Sequence, residues 1–300
     1  MIHIQVPATS ANMGPGFDSI GMALTLYNHL WAEAIPEGVQ IEVKREQPIE
    51  IPRDERNLIY KTMKYFYDQK GLPMPGVHLI QEDYIPMVRG LGSSAACIVG
   101  GLLAANALAG DICDREELAQ MAAKLEGHPD NSNPALFGNM VVGAQDENGM
   151  KHVCMDLPEK LVFAVMIPDF PVSTADSRNV LPESYSRPDV VYNVSRGALL
   201  VASVLTGKLE NLEMAMGDKI HQPYRKVLIP GMEEIFAKAK ENGAAACYLS
   251  GAGSTLMAMV TKDKVQEFEK NMTAYLASLP HNWEMKLLSP DREGAKVEAE

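Results

Sequence analysis

Apolar and polar positions along the chain alternate first with a period of two. Ile2, Ile4 and Val6 alternate with His3 and Gln5, which predicts a short strand that Pro7 stops. Residues 22–35 read as a strand or strand pair, and Val39, Ile41 and Val43 alternate with Gln40, Glu42 and Lys44 as another strand. Over 57–70 the period becomes helical through Leu58, Tyr60, Met63, Phe66 and Tyr67, and Gly71 closes that helix. Residues 77–85 are extended up to Pro86. The nearly uncharged run 93–110 approaches the length of a membrane span. Gly100, Gly101, Asn106 and its many alanines dilute it, and Arg89 is its only close basic flank, so it reads as a buried helix. Asp114 and Glu117 have capping-box spacing and open a helix to Glu126, ended by Gly127 and Pro129.

A hairpin follows over 140–144 and 151–157, turning at Asp146-Glu147-Asn148-Gly149. The apolar run 161–167 is a buried strand. Helices are predicted at 190–205, 209–216 and 232–241, strands at 244–249 and 255–260, a helix at 265–279 and a strand at 283–288. Strands and helices mix without a regular βαβ rhythm, which predicts an α+β fold. A soft boundary near 157–161 divides the chain into expected domains 1–157 and 158–300.

Composition narrows the function. With 46% hydrophobic and 22% charged residues, the 300-residue chain can form a substantial core. A net charge of −12 repels nucleic acid and anionic lipid, so neither is an expected partner. Any polyanion site must be locally positive against that field. Cys97, Cys113, Cys154 and Cys247 have no zinc spacing and read as buried or half-buried free thiols. The N-terminus lacks a basic region followed by an apolar stretch, so no secretory signal is expected and the expected location is cytoplasmic.

Three glycine-rich segments carry the candidate chemistry: Pro7 to Asp18, Pro86 to Ala96 and Tyr248 to Thr255. In the second, Gly90, Gly92, Ser93 and Ser94 stand between a strand and the apolar helix. Glycines admit a ligand close to the backbone, and the helix start offers unpaired N–H groups to phosphate. Alone, the same residues equally describe a plain turn with a serine cap. The third segment reads either as a tight hairpin or as a partner packed on that loop. A helix start supplies only about half an elementary charge. A nucleoside triphosphate bound there therefore needs a divalent ion and an acidic ligand. Glu126 is available for this; otherwise it is an ordinary helix-end glutamate. His128, Asp130, Asn131 and Asn133 crowd the segment from Gly127 to Pro134, which is either a loop of Asx turns or a binding loop for a hydroxyl and an amine.

In order and spacing the three segments resemble the three motifs of the GHMP kinase superfamily, over nearly the whole chain. Gly90-Leu91-Gly92-Ser93-Ser94-Ala95-Ala96 is a specific form of its phosphate-loop motif. Within that superfamily, Pro7 to Asp18, Gly127 to Asn131, Ser173 to Arg178 and Gln222 to Arg225 are similar to segments of the homoserine kinases. The resemblance implies two α+β domains, the first with a left-handed β-α-β unit and the second ferredoxin-like. It implies transfer of the γ-phosphoryl of ATP, with Mg²⁺, to the hydroxyl of the small molecule L-homoserine, and it implies a homodimer. It assigns Pro86, Met87, Val88, Arg89, Gly90, Leu91, Gly92, Ser93, Ser94, Ala95 and Ala96 to ATP, with Asn57 facing the adenine. Ser94 and Glu126 would hold Mg²⁺. Asn12, Asp18, His128, Asp130 and Asn131 would surround the amino acid, with Thr174 nearby and Arg178 and Arg225 on its carboxylate. The implied mechanism has no dedicated base: Asn131 positions the hydroxyl, and Asp130 is the residue for that role if a base exists.

Overall fold

The computed structural model describes residues 1–45 and 49–299. In chain order the strands are β1 (Ile2–Ala11), β2 (Ile20–Ile35), β3 (Val39–Val43), β4 (Gly76–Glu82), β5 (Met140–Asp146), β6 (Gly149–Met155), β7 (Leu161–Pro168), β8 (Ala246–Leu249), β9 (Leu256–Thr261), β10 (Trp283–Leu288) and β11 (Lys296–Ala299). The helices are α1 (Leu58–Lys70), α2 (Ser93–Leu108), α3 (Arg115–Glu126), α4 (Ser132–Phe137), α5 (Thr174–Asn179), α6 (Arg187–Thr206), α7 (Leu212–Ala215), α8 (Gln222–Arg225), α9 (Met232–Glu241) and α10 (Val265–Leu276).

The first sheet runs β11-β1-β2-β4-β3, with β5 on the other end of β2 and β6 beyond it. All of its pairings are antiparallel except β3 with β4, which α1 separates in the chain. Helix α2 packs on β1, β2 and α1. Because it is apolar on every side it has no solvent face, and Ala95 through Asn106 are almost all buried. The second sheet, β10-β7-β9-β8, is wholly antiparallel, with α9 and α10 packed on it. Phe163, Tyr248 and Met257 of this sheet share one buried core with Ile4, Met22 and Leu102 of the first. Leu200 and Val204 of α6 join the same core, so the two layers of the molecule meet without an intervening linker.

Several expectations change. Pro7 does not stop β1: the register with β2 shifts between Pro7 and Ala8, and the irregularity absorbs the missing N–H while the strand continues to Ala11. The extension matters because it brings Thr9 to Asn131 and Ser10 to Ser250. Asp114 forms the expected capping box with Glu117. The segment after Asn131 is helical as α4, not a loop of Asx turns. Helix α6 begins at Arg187, capped by Ser186 and with Pro188 in its first turn. Residues 209–216 divide into a 3₁₀ turn and the single turn α7, and α10 ends at Leu276. The four cysteines are free, and Cys154 on β6 is exposed, neither buried nor half-buried. No helix among the described residues is long and apolar enough to cross a membrane.

Candidate active site

The three glycine segments converge on one cavity of about 620 Å³, within the range of small-molecule sites. Of the residues singled out in the sequence, Asn12, Asp18, Asn57, Pro86 through Ala95, Glu126, His128, Asp130, Asn131, Thr174, Arg178 and Arg225 all line it. Ala96 does not; it points into the core.

Helix α2 starts at Gly92, whose φ of 71° lies in the left-handed region, and no side chain caps it. The first helical bond is from the Ala96 N–H to the Gly92 carbonyl, at 2.9 Å. The N–H groups of Ser93, Ser94 and Ala95 therefore have no acceptor within the helix and open on the cavity. A Cβ on Gly92 would stand 1.9 Å from Thr9 Oγ1 and 3.2 Å from Asn131 Oδ1. Thr9 Oγ1 itself donates to Asn131 Oδ1 at 2.8 Å. The absence of a side chain at Gly92 is what lets the loop before α2 touch the loop that carries Asn131.

The third segment is no free hairpin. It packs on the phosphate loop, because a Cβ on Gly90 would lie 2.2 Å from the Ser250 carbonyl oxygen. Ser250 Oγ donates to the Gly90 carbonyl at 2.6 Å, and the Thr255 N–H donates to the Arg89 carbonyl at 3.1 Å. The Arg89 guanidinium donates to the carbonyls of Met87, Val88, Pro168 and Asp169. It therefore braces the loop through its backbone while its charge stays beside the cavity.

On the other side of Gly92, Asp18 and Arg178 form a forked pair with N–O distances of 3.0 and 3.1 Å. Asn12 Oδ1 accepts the Asp18 N–H at 3.0 Å, while Asn12 Nδ2 donates to the Gly251 carbonyl. Arg225 is 2% exposed. Its Nε donates to the Ser177 carbonyl and its Nη1 to the Gly251 carbonyl at 2.9 Å. Burial lowers its pKa to about 10, against the pull of the Asp18 charge, so it stays cationic at neutral pH. The Phe17 ring carries both guanidinium groups, Arg225 at 5.2 Å and Arg178 at 5.7 Å. His128 Nδ1 and Asp130 Oδ1 are 2.5 Å apart. Burial alone would lower the His128 pKa. The bond to Asp130 and the charges of Asp130, Glu126 and Asp18 outweigh it and push the group up to about 9.

Glu126 ends α3 with Oε2 buried and without a hydrogen-bond partner among the described residues. Burial, reinforced by Asp130 and opposed by His128, pushes its carboxyl up to about 7. Neither serine hydroxyl at the start of α2 has a protein partner among the described residues, and Ser94 is exposed to the cavity.

Asn57 reaches the cavity, but its amide is committed. Nδ2 donates to the Pro52 carbonyl and to Gln81 Oε1, and Oδ1 caps α1 through the Ile59 N–H. Gln81 and Asp83, which sequence reasoning missed, line the wall beside it, and Gln81 Nε2 donates to Asp83 Oδ2 at 2.6 Å. Burial raises the Asp83 pKa to about 6, against that hydrogen bond. Alternation along β4 carried the only signal for them: polar Gln81 falls on the inward phase set by Val77 and Leu79. Thr9 was missed because Pro7 was read as the end of its strand.

The residue pattern of two known family models fits this chain: "GHMP kinases N terminal domain" over residues 57–139 and "GHMP kinases C terminal" over 200–278. The chain belongs to the GHMP kinases. A homoserine kinase of Clostridium beijerinckii is 46% identical over 99% of this chain and 98% of its own, and one of Caldicellulosiruptor saccharolyticus is 43% identical over 99% and 96%. A crystal structure of a homoserine kinase from Cytophaga hutchinsonii superposes with a TM-score of 0.90 at 27% identity, covering 99% of this chain and 97% of that one. Within the superfamily the chain stands in the homoserine kinase branch.

Proposed function

We propose that this chain phosphorylates the side-chain hydroxyl of L-homoserine with ATP, giving O-phospho-L-homoserine and ADP. The observation that carries the reading is the contact at Gly92: an uncapped helix start suited to a triphosphate lies against Asn131, in a loop suited to a small amino acid. Phosphoryl transfer has a loose transition state, so alignment and charge stabilisation supply most of the rate.

The amino-acid end has the right charges. A zwitterion can lie antiparallel to the Asp18–Arg178 pair, with its ammonium on Asp18 and its carboxylate on Arg178 and Arg225. Arg225 keeps Nη2 for this, since only its Nε and Nη1 are bonded to protein among the described residues. Thr174 lies on the same wall. Asn12 holds Asp18 in place, and Asn131 positions the hydroxyl. His128 and Asp130 form an ion pair at neutral pH. With Asp130 held on the His128 ring, the hydroxyl proton leaves late, to the transferred phosphoryl group. A true general base contributes about 10²–10⁴-fold. Asp130→Asn is expected to lose no more than about tenfold in kcat and to keep the pH–rate profile of the parent; loss of one limb of that profile would make Asp130 the base.

Mg²⁺ fits the residues present, because an orphaned buried carboxylate oxygen on Glu126 suits a cation. Glu126 and the Ser94 hydroxyl would hold it, and when bound it would neutralise charge on the β- and γ-phosphates. Glu126→Gln is expected to raise the Mg²⁺ concentration for half-maximal activity by at least about tenfold. It should also remove the extra thermal stabilisation that Mg·ATP gives over ATP alone. An unchanged Mg²⁺ requirement would take Glu126 out of that role.

The reading as a whole is tested with a panel of L-homoserine, mevalonate and galactose, following ADP release. L-Homoserine should be phosphorylated with kcat/KM at least about 10³ above the others, because only an amino acid fills both charged positions. Preference for mevalonate or the sugar would refute it.

A further inference from the structure

His221 is fully buried behind Arg225 and does not line the cavity, and none of the roles above uses it. Its surroundings fix its protonation. Nε2 lies 2.7 Å from the Gly14 carbonyl oxygen and 3.5 Å from Asp218 Oδ2, both of which accept, so Nε2 carries a hydrogen. Nδ1 lies 3.4 Å from Arg225 Nη1, which can only donate, so Nδ1 carries a lone pair. The ring is therefore a neutral imidazole in one tautomer. Burial and the Arg225 charge lower its pKa, against the charges of Asp218 and Asp18.

The ring also stacks on Phe17 at 5.4 Å, the same ring that carries Arg225 and Arg178. Behind it, Asp218 accepts the N–H groups of Ile220, His221 and Gln222 at 2.8, 3.0 and 2.6 Å and so holds the turn rigid. Asn193 Nδ2 donates to the Pro15 carbonyl while its Oδ1 accepts the Lys219 N–H. The loop from Asn12 to Asp18 is thus seated on the segment that leads into Arg225, and His221 touches both.

We propose that His221 is a positioning residue: its single neutral tautomer sets the spacing between the loop that ends in Asp18 and the Arg225 guanidinium, and hence the fit of a zwitterion between them. The proposal rests on the amino-acid reading of that end. Kinetics of the full chain with ATP and L-homoserine test it. His221→Phe keeps the stacked ring and loses the polar contacts with Gly14, Arg225 and Asp218. It is expected to raise KM for homoserine by at least about tenfold while KM for ATP moves less than about twofold. His221→Gln, which can still donate toward Gly14, should recover part of the loss. Equal rises in both KM values, or no rise in either, would overturn the proposal. A parent enzyme inactive on homoserine would instead refute the acceptor reading. Should the variants fail to fold, ¹⁵N NMR of the histidine rings in the parent decides: Nε2–H at neutral pH is expected for His221, and Nδ1–H or imidazolium overturns it.

Discussion

Gly92→Ala is expected to reduce kcat by at least about 10²-fold, the scale of loss that a displacement of about 1 Å produces at a reacting centre. Two independent penalties act at that residue. Its φ of 71° costs a residue with a Cβ about 1–2 kcal/mol. The new methyl group would also fall 1.9 Å from Thr9 Oγ1, well inside contact distance, so either β1 or the start of α2 must move. Movement of either breaks the alignment of the amides of Ser93, Ser94 and Ala95 with Asn131. Much of the damage should be relieved by Thr9→Ala in the same chain, which removes the atom nearest the new methyl. A double variant better than Gly92→Ala alone, measured by coupled ADP release, is therefore expected; strict additivity would mean that the crowding does not matter.

Arg225→Ala has the second-largest expected effect, and it should fall on one substrate. Removing one partner of a buried charge pair costs about 2–5 kcal/mol, which corresponds to roughly 30-fold to several thousand-fold in affinity. KM for homoserine should rise on that scale while KM for ATP stays within about threefold. The side chain also satisfies the Ser177 and Gly251 carbonyls, so some stability is lost as well. Arg225→Lys separates the two effects. It keeps the charge but not the planar fork, so binding should remain impaired while thermal stability largely returns. Equal rises in both KM values would remove the carboxylate assignment.

The local signals in the sequence carried much of the site. Residues 90–95 were legible because they stand in order with the first and third glycine segments, since alone they describe a plain turn, and the capping box of Asp114 and Glu117 is a purely local device. What was not legible depends on distant neighbours. Pro7 reads as a stop unless the bulge against β2 is known. Strand β11 pairs with β1 across nearly the whole length of the chain, and four residues of mixed polarity near a terminus carry no periodicity strong enough to announce it. Asn57, which the resemblance turned toward adenine, lines the cavity but bonds Pro52, Gln81 and Ile59. Arg89, which it assigned to ATP, lines the cavity and donates to backbone carbonyls. Arginine and asparagine serve structure or ligand with the same donors, and only the positions of the acceptors decide which.

The most direct measurement is a crystal structure of the chain with Mg²⁺, a non-hydrolysable ATP analogue and L-homoserine. The account predicts the γ-phosphate on the amides of Ser93 to Ala95, with the homoserine hydroxyl beside Asn131 facing it across Gly92. A triphosphate bound elsewhere, or a homoserine hydroxyl out of reach of the γ-phosphate, would contradict it.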